Sequence, residues 1–218
     1  MFRGVQVMTS MRRRSLTGLL ALALGAIAAP ALAQTAPTNL GTFKGWTAWQ
    51  GSDDYGKICF VSASPDSSTP TQVNGKPIVR DPPHFLIIHR DKAPAVNPDG
   101  TAAKDKNGQP MFRKVRNEVQ TLMGYPLQPT TDSFFHSATI DGKSWNMKSI
   151  PDDPATPIKD NEAAWLASMS DEAGFVTALK SGSKLVVGGT SLKGTKTTDT
   201  YSLAGITAAM AAIDKACP

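Results

Sequence analysis

The chain has 218 residues, of which 40% are hydrophobic, and a formal net charge of +5. Four arginines within the first 14 residues carry most of that excess, and beyond them basic residues outnumber acidic residues by one. Because basic and acidic residues are nearly balanced beyond the first 14 positions, the chain lacks the strongly basic face of a nucleic-acid-binding domain. No nucleic-acid partner is therefore predicted. The length fits one domain with a sizeable core.

The N-terminal region has the pattern of a secretory signal peptide, predicted to span residues 1–33. Three consecutive arginines at 12–14 precede an apolar run over residues 19–29, and Ala33 closes a motif of small residues. The run is shorter than the ~20 residues of a transmembrane helix. We expect cleavage between Ala33 and Gln34 and no transmembrane segment in the mature chain. The arginines leave the general secretory and the twin-arginine routes open.

The mature chain, residues 34–218, is predicted to be mainly β. Short apolar runs bounded by Gly, Pro, Asn and Asp are typical of strands, and turns are predicted at Asn74-Gly75 and Asp141-Gly142. Strands are predicted at residues 58–61, 84–89, 115–123, 134–140, 144–147 and 184–187. Helices are predicted at residues 161–169 and 171–180 and at the C-terminal end. This order of elements predicts an antiparallel β-sandwich with short helices and a C-terminal α-helix.

Residues 91–112 interrupt this pattern. The stretch is rich in Pro, Gly, Asn, Asp and Lys and has few apolar residues. A segment of this composition offers little surface to bury, so it predicts an exposed loop that is long for one domain. We expect it to be dispensable for folding.

The C-terminal helix is predicted from five apolar residues spaced three or four apart. These residues are Leu203, Ile206, Met210, Ile213 and Cys217. The spacing puts all five on one face, and Ser202 is a candidate N-cap. The apolar face is expected to pack on the domain and to carry Cys217 toward the core.

The only two cysteines of the chain are Cys59, in a predicted strand, and Cys217. In an exported protein two cysteines most simply form one disulfide, which here would fasten the last helix to that strand. The alternative is two separate buried thiols that act as small hydrophobic residues.

Two short motifs bear on catalysis. Residues 189–196 differ from a phosphate-binding loop in the order of the last two residues, and no βαβ pattern surrounds them. Residues 181–184 match a serine-lysine motif, but Gly182 and the following strand predict a turn there instead of the start of a helix. No catalytic residue is predicted, although a catalytic set that assembles only in space would leave no such spacing.

The three histidines give no metal-binding pattern. His84 and His89 are five apart on a predicted strand, and an odd separation sends their side chains to opposite faces. His136 lies beside two phenylalanines. No metal and no cofactor are therefore predicted.

Surface features point to no single partner. Arg113, Lys114 and Arg116 make a local basic patch that suits either peripheral association with a membrane or ordinary solubility. The four tryptophans suit either a carbohydrate groove or the core and its rim. The partner is expected to be an envelope component of unknown identity.

The C-terminal sequence resembles the invasion-associated locus B family of small exported bacterial proteins. The resemblance is carried by residues 189–217, GTSLKGTKTTDTYSLAGITAAMAAIDKAC, and more weakly by AAW at 163–165, IDGKSW at 140–145 and NEVQTLMGYPL at 117–127. Residues 91–112 are an insertion relative to the family pattern. The family name records an association with host-cell invasion and no reaction.

The resemblance implies an exported envelope protein in the periplasm, with outer-membrane association or secretion as alternatives. We expect a non-catalytic binding or host-interaction protein. The alternative is a small periplasmic hydrolase or glycan-active enzyme whose site is not visible in the sequence.

Overall fold

The computed structural model describes residues 36–70, 72–95, 101–131, 133–149 and 160–218. Within them the strands are β1 (Thr38–Phe43), β2 (Trp46–Asp53), β3 (Gly56–Ala63), β4 (Ser67–Thr69), β5 (Gln72–Val73), β6 (Lys76–Pro77), β7 (His84–Pro94), β8 (Phe112–Leu122), β9 (His136–Ile140), β10 (Lys143–Ser149), β11 (Ala163–Leu166), β12 (Lys184–Thr190) and β13 (Lys196–Ser202). The α-helices are α1 (Glu172–Ser181) and α2 (Ile206–Ala216). The predicted signal peptide, residues 1–33, and its cleavage site between Ala33 and Gln34 lie outside the described residues.

One antiparallel sheet contains eleven of the described strands, in the order β1-β2-β3-β7-β8-β11-β10-β9-β12-β13-β4. The strands β5 and β6 pair with each other around the Asn74-Gly75 turn. The predicted antiparallel, mainly β class is confirmed. Strand pairing is continuous from β1 at one edge of the sheet to β4 at the other edge. The two layers of the predicted sandwich therefore belong to a single sheet.

This sheet curls around its core. The rings of Phe85 in β7 and Tyr201 in β13 are 5.9 Å apart, although five strands lie between β7 and β13 in the sheet. A flat sheet would separate those strands by roughly 29 Å, at about 4.8 Å per step. Near the two edges, Trp46 Nε1 donates a hydrogen bond of 2.9 Å to the Ser202 carbonyl oxygen. The two halves of the sheet therefore face each other across one core.

Period-two alternation places the apolar side chains inside. In β10, Trp145 and Met147 are buried whereas Ser144 and Asn146 are exposed. Such large apolar side chains each contribute about 1.5–3 kcal/mol when buried, so a one-residue slip in register would be strongly disfavoured. The strands predicted at 58–61, 84–89, 115–123, 134–140, 144–147 and 184–187 correspond to β3, β7, β8, β9, β10 and β12.

The helix α2 covers β1, β2 and β3. Of the five apolar residues predicted to share one helix face, Ile206, Met210 and Ile213 lie in α2 and are buried, which confirms the face there. Leu203 precedes the helix and Cys217 follows its last residue, and both are also buried. The prediction of Ser202 as N-cap is wrong, because Ser202 ends β13 and the helix begins after Gly205. Gly205 has φ +97°, and a Cβ there would lie 2.1 Å from the Phe43 carbonyl oxygen. The close approach to β1 therefore requires glycine at this position and sets the start of the helix.

Cys59 and Cys217 form a disulfide bond with a Cα–Cα distance of 6.0 Å. Both residues are fully buried. The bond joins α2 to β3, the strand on which the helix packs, as the two-cysteine argument predicted. Among the described residues no helix is both long and apolar enough to cross a membrane.

The prediction of a helix at residues 161–169 is wrong. Residues 163–166 form β11, which pairs with β8 on one side and β10 on the other, and short 3-10 turns flank it. Ala163 and Ala164 favour a helix by intrinsic propensity, but both are buried in a gap between two strands that supplies hydrogen bonds on both sides. The helix predicted at 171–180 is confirmed as α1.

Most of the described residues of the loop predicted at 91–112 are exposed, as expected, but they form ordered backbone structure. β7 extends to Pro94 and β8 begins at Phe112. Between them, the Ala103 N–H donates to the Ala95 carbonyl oxygen at 2.8 Å, and the Met111 N–H donates to the Ala103 carbonyl oxygen at 2.9 Å. The stretch is thus the outer part of a long β7–β8 hairpin. The amino-acid composition did not predict this hairpin extension, because backbone pairing depends little on the side chains.

Candidate functional site

A cleft with a volume of about 460 Å³ opens where β12 turns into β13. Its walls come from three segments: residues 76–80 after the β5–β6 hairpin, residues 124–126 after β8, and residues 191–197 of the β12–β13 turn. The volume is within the range of about 300–1,000 Å³ that is usual for small-ligand sites. Three segments from distant parts of the chain therefore converge on one concave surface.

The floor of the cleft is a buried ion pair. Arg80 Nη2 contacts Asp199 Oδ1, and Arg80 Nη1 donates to Asp199 Oδ2 at 3.1 Å. The Asp199 side chain is fully buried and that of Arg80 is 9% exposed. Ser68 Oγ also donates to Asp199 Oδ1 at 2.6 Å, and Arg80 Nη1 reaches the Met123 carbonyl oxygen at 3.2 Å. The bidentate pair and its added hydrogen bonds hold β4, β13 and the 76–80 wall together.

Tyr125 completes the floor. Its hydroxyl lies 2.6 Å from Thr197 Oγ1, and the Arg80 guanidinium lies 5.7 Å from the centre of its ring. Burial raises the pKa of Tyr125, an effect that outweighs the opposing influence of the Thr197 hydrogen bond. The phenol is therefore neutral and serves as a fixed hydrogen-bonding group.

Gly124 fixes the distance between two of the walls. Asp81 N–H donates to the Gly124 carbonyl oxygen at 3.0 Å. Gly124 has φ +71°, and a Cβ at this position would lie 1.9 Å from the Asp81 carbonyl oxygen. Only glycine allows the 76–80 wall to approach the 124–126 wall this closely.

The rim of the cleft is apolar and basic. Val79 is 94% exposed and Leu192 is 59% exposed. Lys76 and Lys193 line the same opening, and neither has an ion-pair partner among the residues that the structure describes. The arrangement can bind a ligand that combines apolar groups with negative charge.

His136 lies outside the cleft lining and has a structural role. The Thr190 N–H donates to Nδ1 at 3.3 Å, and Nε2 lies 2.9 Å from the Gln128 carbonyl oxygen. Because a carbonyl oxygen only accepts, the proton must be on Nε2. Burial lowers the pKa of His136, and the neutral ring ties β9 to β12 through Nδ1 and to the segment after β8 through Nε2.

His84 and His89 lie on opposite faces of β7, as predicted. His89 is directly opposite Cys59 and is buried, with Nε2 3.1 Å from Asn117 Oδ1. Burial lowers the pKa of His89, more strongly than Asn117 and Asp214 raise it. His84 points to the outer face, where Nδ1 lies 3.4 Å from Ser64 Oγ. In the described part of the chain no three His, Cys, Asp or Glu side chains are grouped to hold a metal.

The sequence motifs have other roles. Residues 189–196 form the β12–β13 turn with no helix after it, and Ser181 is the last residue of α1 with its hydroxyl bonded to the Thr177 carbonyl oxygen at 3.0 Å. Trp46 and Trp145 are in the core. Lys114 of the basic patch donates to the Pro218 carbonyl oxygen at 2.7 Å.

Sequence reasoning missed Arg80, Asp199 and Tyr125. One signal was present for Asp199: in β13 it alternates with Thr197 and Tyr201, and this alternation puts the carboxylate on the inner face. Its partner Arg80 is 119 positions away. No local pattern indicates such a pair.

The comparisons with known proteins give one result. Residues 161–214 match the family model described as Invasion associated locus B (IalB) protein. The matched segment runs from β11 into α2 and includes the β12–β13 wall of the cleft. No curated protein and no solved structure matched the chain. The family match confirms, over residues 161–214, the resemblance to the invasion-associated locus B family that the C-terminal sequence indicated.

Proposed function

We propose that the protein is an exported, non-catalytic binding protein of the cell envelope, acting in the periplasm or at the cell surface, and that it binds its partner in the cleft. The basic and apolar pattern of residues 1–33 supports export. The Cys59–Cys217 disulfide suits an oxidising compartment. The family model that matches residues 161–214 is described by an association with invasion and names no reaction.

The cleft is the observation that carries this proposal. Its rim exposes Val79 and Leu192, whereas its floor is fixed by the Arg80–Asp199 pair. A preformed site of this kind binds without first ordering a loop, which lowers the cost of association. The Arg80–Asp199 pair and the Tyr125–Thr197 pair are already hydrogen-bonded within themselves, which suits groups that shape a binding surface.

Site-specific photo-crosslinking in the intact envelope tests the proposal. A photoreactive amino acid is placed at Val79 or at Leu192, with Met169 as the control because it is also an exposed apolar residue but does not line the cleft. We expect both cleft positions to capture the same molecule in the periplasmic or surface fraction and Met169 to capture none of it. Equal capture from all three positions, or none from the cleft, would contradict the proposal.

A further inference from the structure

We propose that the cleft binds an extended peptide segment in which apolar side chains alternate with acidic ones. This inference rests on the proposed binding function and names the class of its partner. Three properties of the cleft support it: unpaired backbone on one wall, apolar surface at the rim, and positive charge around the opening.

Part of the backbone of the 76–80 wall, at Ile78 and Val79, can pair with a ligand. Ile78 and Val79 have no hydrogen-bond partner among the described residues. Ile78 and Arg80 are partly buried and Val79 between them is exposed, which is the alternation of an extended chain. An extended run with free N–H and C=O groups can pair with an added strand.

The neighbouring sheet edge is also incomplete. β4 pairs with β13 only over Thr198–Thr200 and ends at Thr69, before Pro70. Among the described residues, none is paired with Lys196 or Thr197 on the β4 side of β13. Thr197 at this edge and residues 76–80 both line the cleft.

Apolar and charged groups both lie around the opening. Val79, Leu192 and Pro77 offer apolar contacts, and Lys76 and Lys193 place two positive charges at the same rim. The positive charge of Arg80 is compensated by its buried partner Asp199, and the described residues that line the cleft include no acidic side chain. The net field at the opening therefore favours a partner with carboxylates.

The free backbone decides between a peptide and an anionic lipid. A fatty acid would satisfy the apolar rim and the lysines, but its alkyl chain cannot pair with the N–H and C=O groups of Ile78 and Val79. An extended peptide can use all three properties, with backbone hydrogen bonds giving affinity and alternate side chains giving specificity.

Peptide libraries test the inference directly. The purified protein is presented with eight-residue peptides in which Val, Leu, Ile or Phe alternates with Asp or Glu, and with a matched library that has Lys or Arg at the acidic positions. We expect enrichment of the acidic library alone, with Lys193→Ala weakening the selected peptides about threefold to fivefold at low salt. The matched control is Lys180→Ala, an exposed lysine of α1 that does not line the cleft, and it should leave the affinity unchanged.

N-methylation of a selected peptide tests the backbone pairing. Methyl groups on the amides that face the wall should abolish binding, whereas methyl groups on the alternate amides should not. Equal binding of the two libraries, or equal tolerance of both methylation patterns, would overturn the inference. Binding of decanoate or of anionic lipid vesicles in the cleft, with no peptide selected, would also overturn it and would leave the proposed binding function standing. Failure of the photo-crosslinking experiment would instead overturn the binding function.

Discussion

The α2 region and the floor of the cleft are both buried, but different forces hold them. α2 packs an apolar face on β1, β2 and β3 and is bonded to β3 through Cys59 and Cys217. The floor buries two opposite charges, Arg80 and Asp199. Removing buried apolar groups one at a time lowers the free energy of unfolding in small steps. Removing one partner of a buried ion pair lowers it strongly in a single step, because the other charge is left buried and unpaired. The comparison explains why the floor can be rigid beneath an open cleft.

The largest expected effect is at the ion pair. Arg80→Ala leaves Asp199 fully buried without its cation, so we expect the free energy of unfolding to fall by about 3–5 kcal/mol. Urea denaturation measures the loss. The double variant Arg80→Met with Asp199→Asn removes both charges and keeps an acceptor for Ser68, so it should be more stable than Arg80→Ala. A loss below about 1 kcal/mol in the single variant would show that the pair does not hold the floor.

The disulfide should give the next largest effect. The crosslink spans 158 residues, for which the chain-entropy model gives about 5 kcal/mol as an upper bound, and measured losses are typically about 2–4 kcal/mol. Cys59→Ser and Cys217→Ser should each show this loss, and the double variant should lose no more. Denaturation with and without reductant checks the same bond. Additive losses from the two single variants would contradict it.

The buried histidines predict a loss of stability in acid. Burial lowers the pKa of His89 and of His136 in the folded protein, so below about pH 6.5 the unfolded chain binds more protons than the folded one. The stability is fully present above that pH. It declines as the pH falls toward the lowered pKa values that the two histidines have in the folded protein. Denaturation midpoints at several pH values measure the slope. His89→Gln and His136→Gln should each reduce it, and a slope that neither variant changes would contradict the assignment.

The smallest expected effect is at the tip of the β7–β8 hairpin. Residues 101–110 are exposed apart from the half-buried Ala103, and shortening a loop changes closure cost slowly. Replacing residues 96–110 with a two-residue Asn-Gly turn should change the free energy of unfolding by less than about 1 kcal/mol. Thermal unfolding checks this. A large loss would mean that the tip packs on a part of the domain.

The α2 region was predictable because its signals are local or simple. The spacing of apolar residues fixes the buried face of α2, and two cysteines allow only one pairing. The turn at Asp141-Gly142 was equally local, and both residues do have positive φ. The start of α2 was mispredicted because it depends on the contact between Gly205 and Phe43, which are far apart in sequence.

The cleft was not predictable because nothing local encodes it. Arg80, Tyr125 and Asp199 come from three segments that meet only through the order of the strands in the sheet. Residues 163–166, which were predicted to be helical, form a central strand because the same order places them between β8 and β10. Propensity describes each segment alone, whereas the position of a segment in the sheet decides which backbone groups need partners.

The most direct test of the account is whether capture from Val79 depends on the cleft rim and not on the disulfide. With the photoreactive group at position 79, Leu192→Asp should reduce the captured molecule at least tenfold, about 1.4 kcal/mol, with little change in the thermal midpoint because Leu192 is exposed. Cys59→Ser with Cys217→Ser should lower the midpoint but leave capture unchanged at temperatures where the protein is folded. Capture that survives Leu192→Asp, or that is lost with the disulfide in the folded protein, would contradict the account.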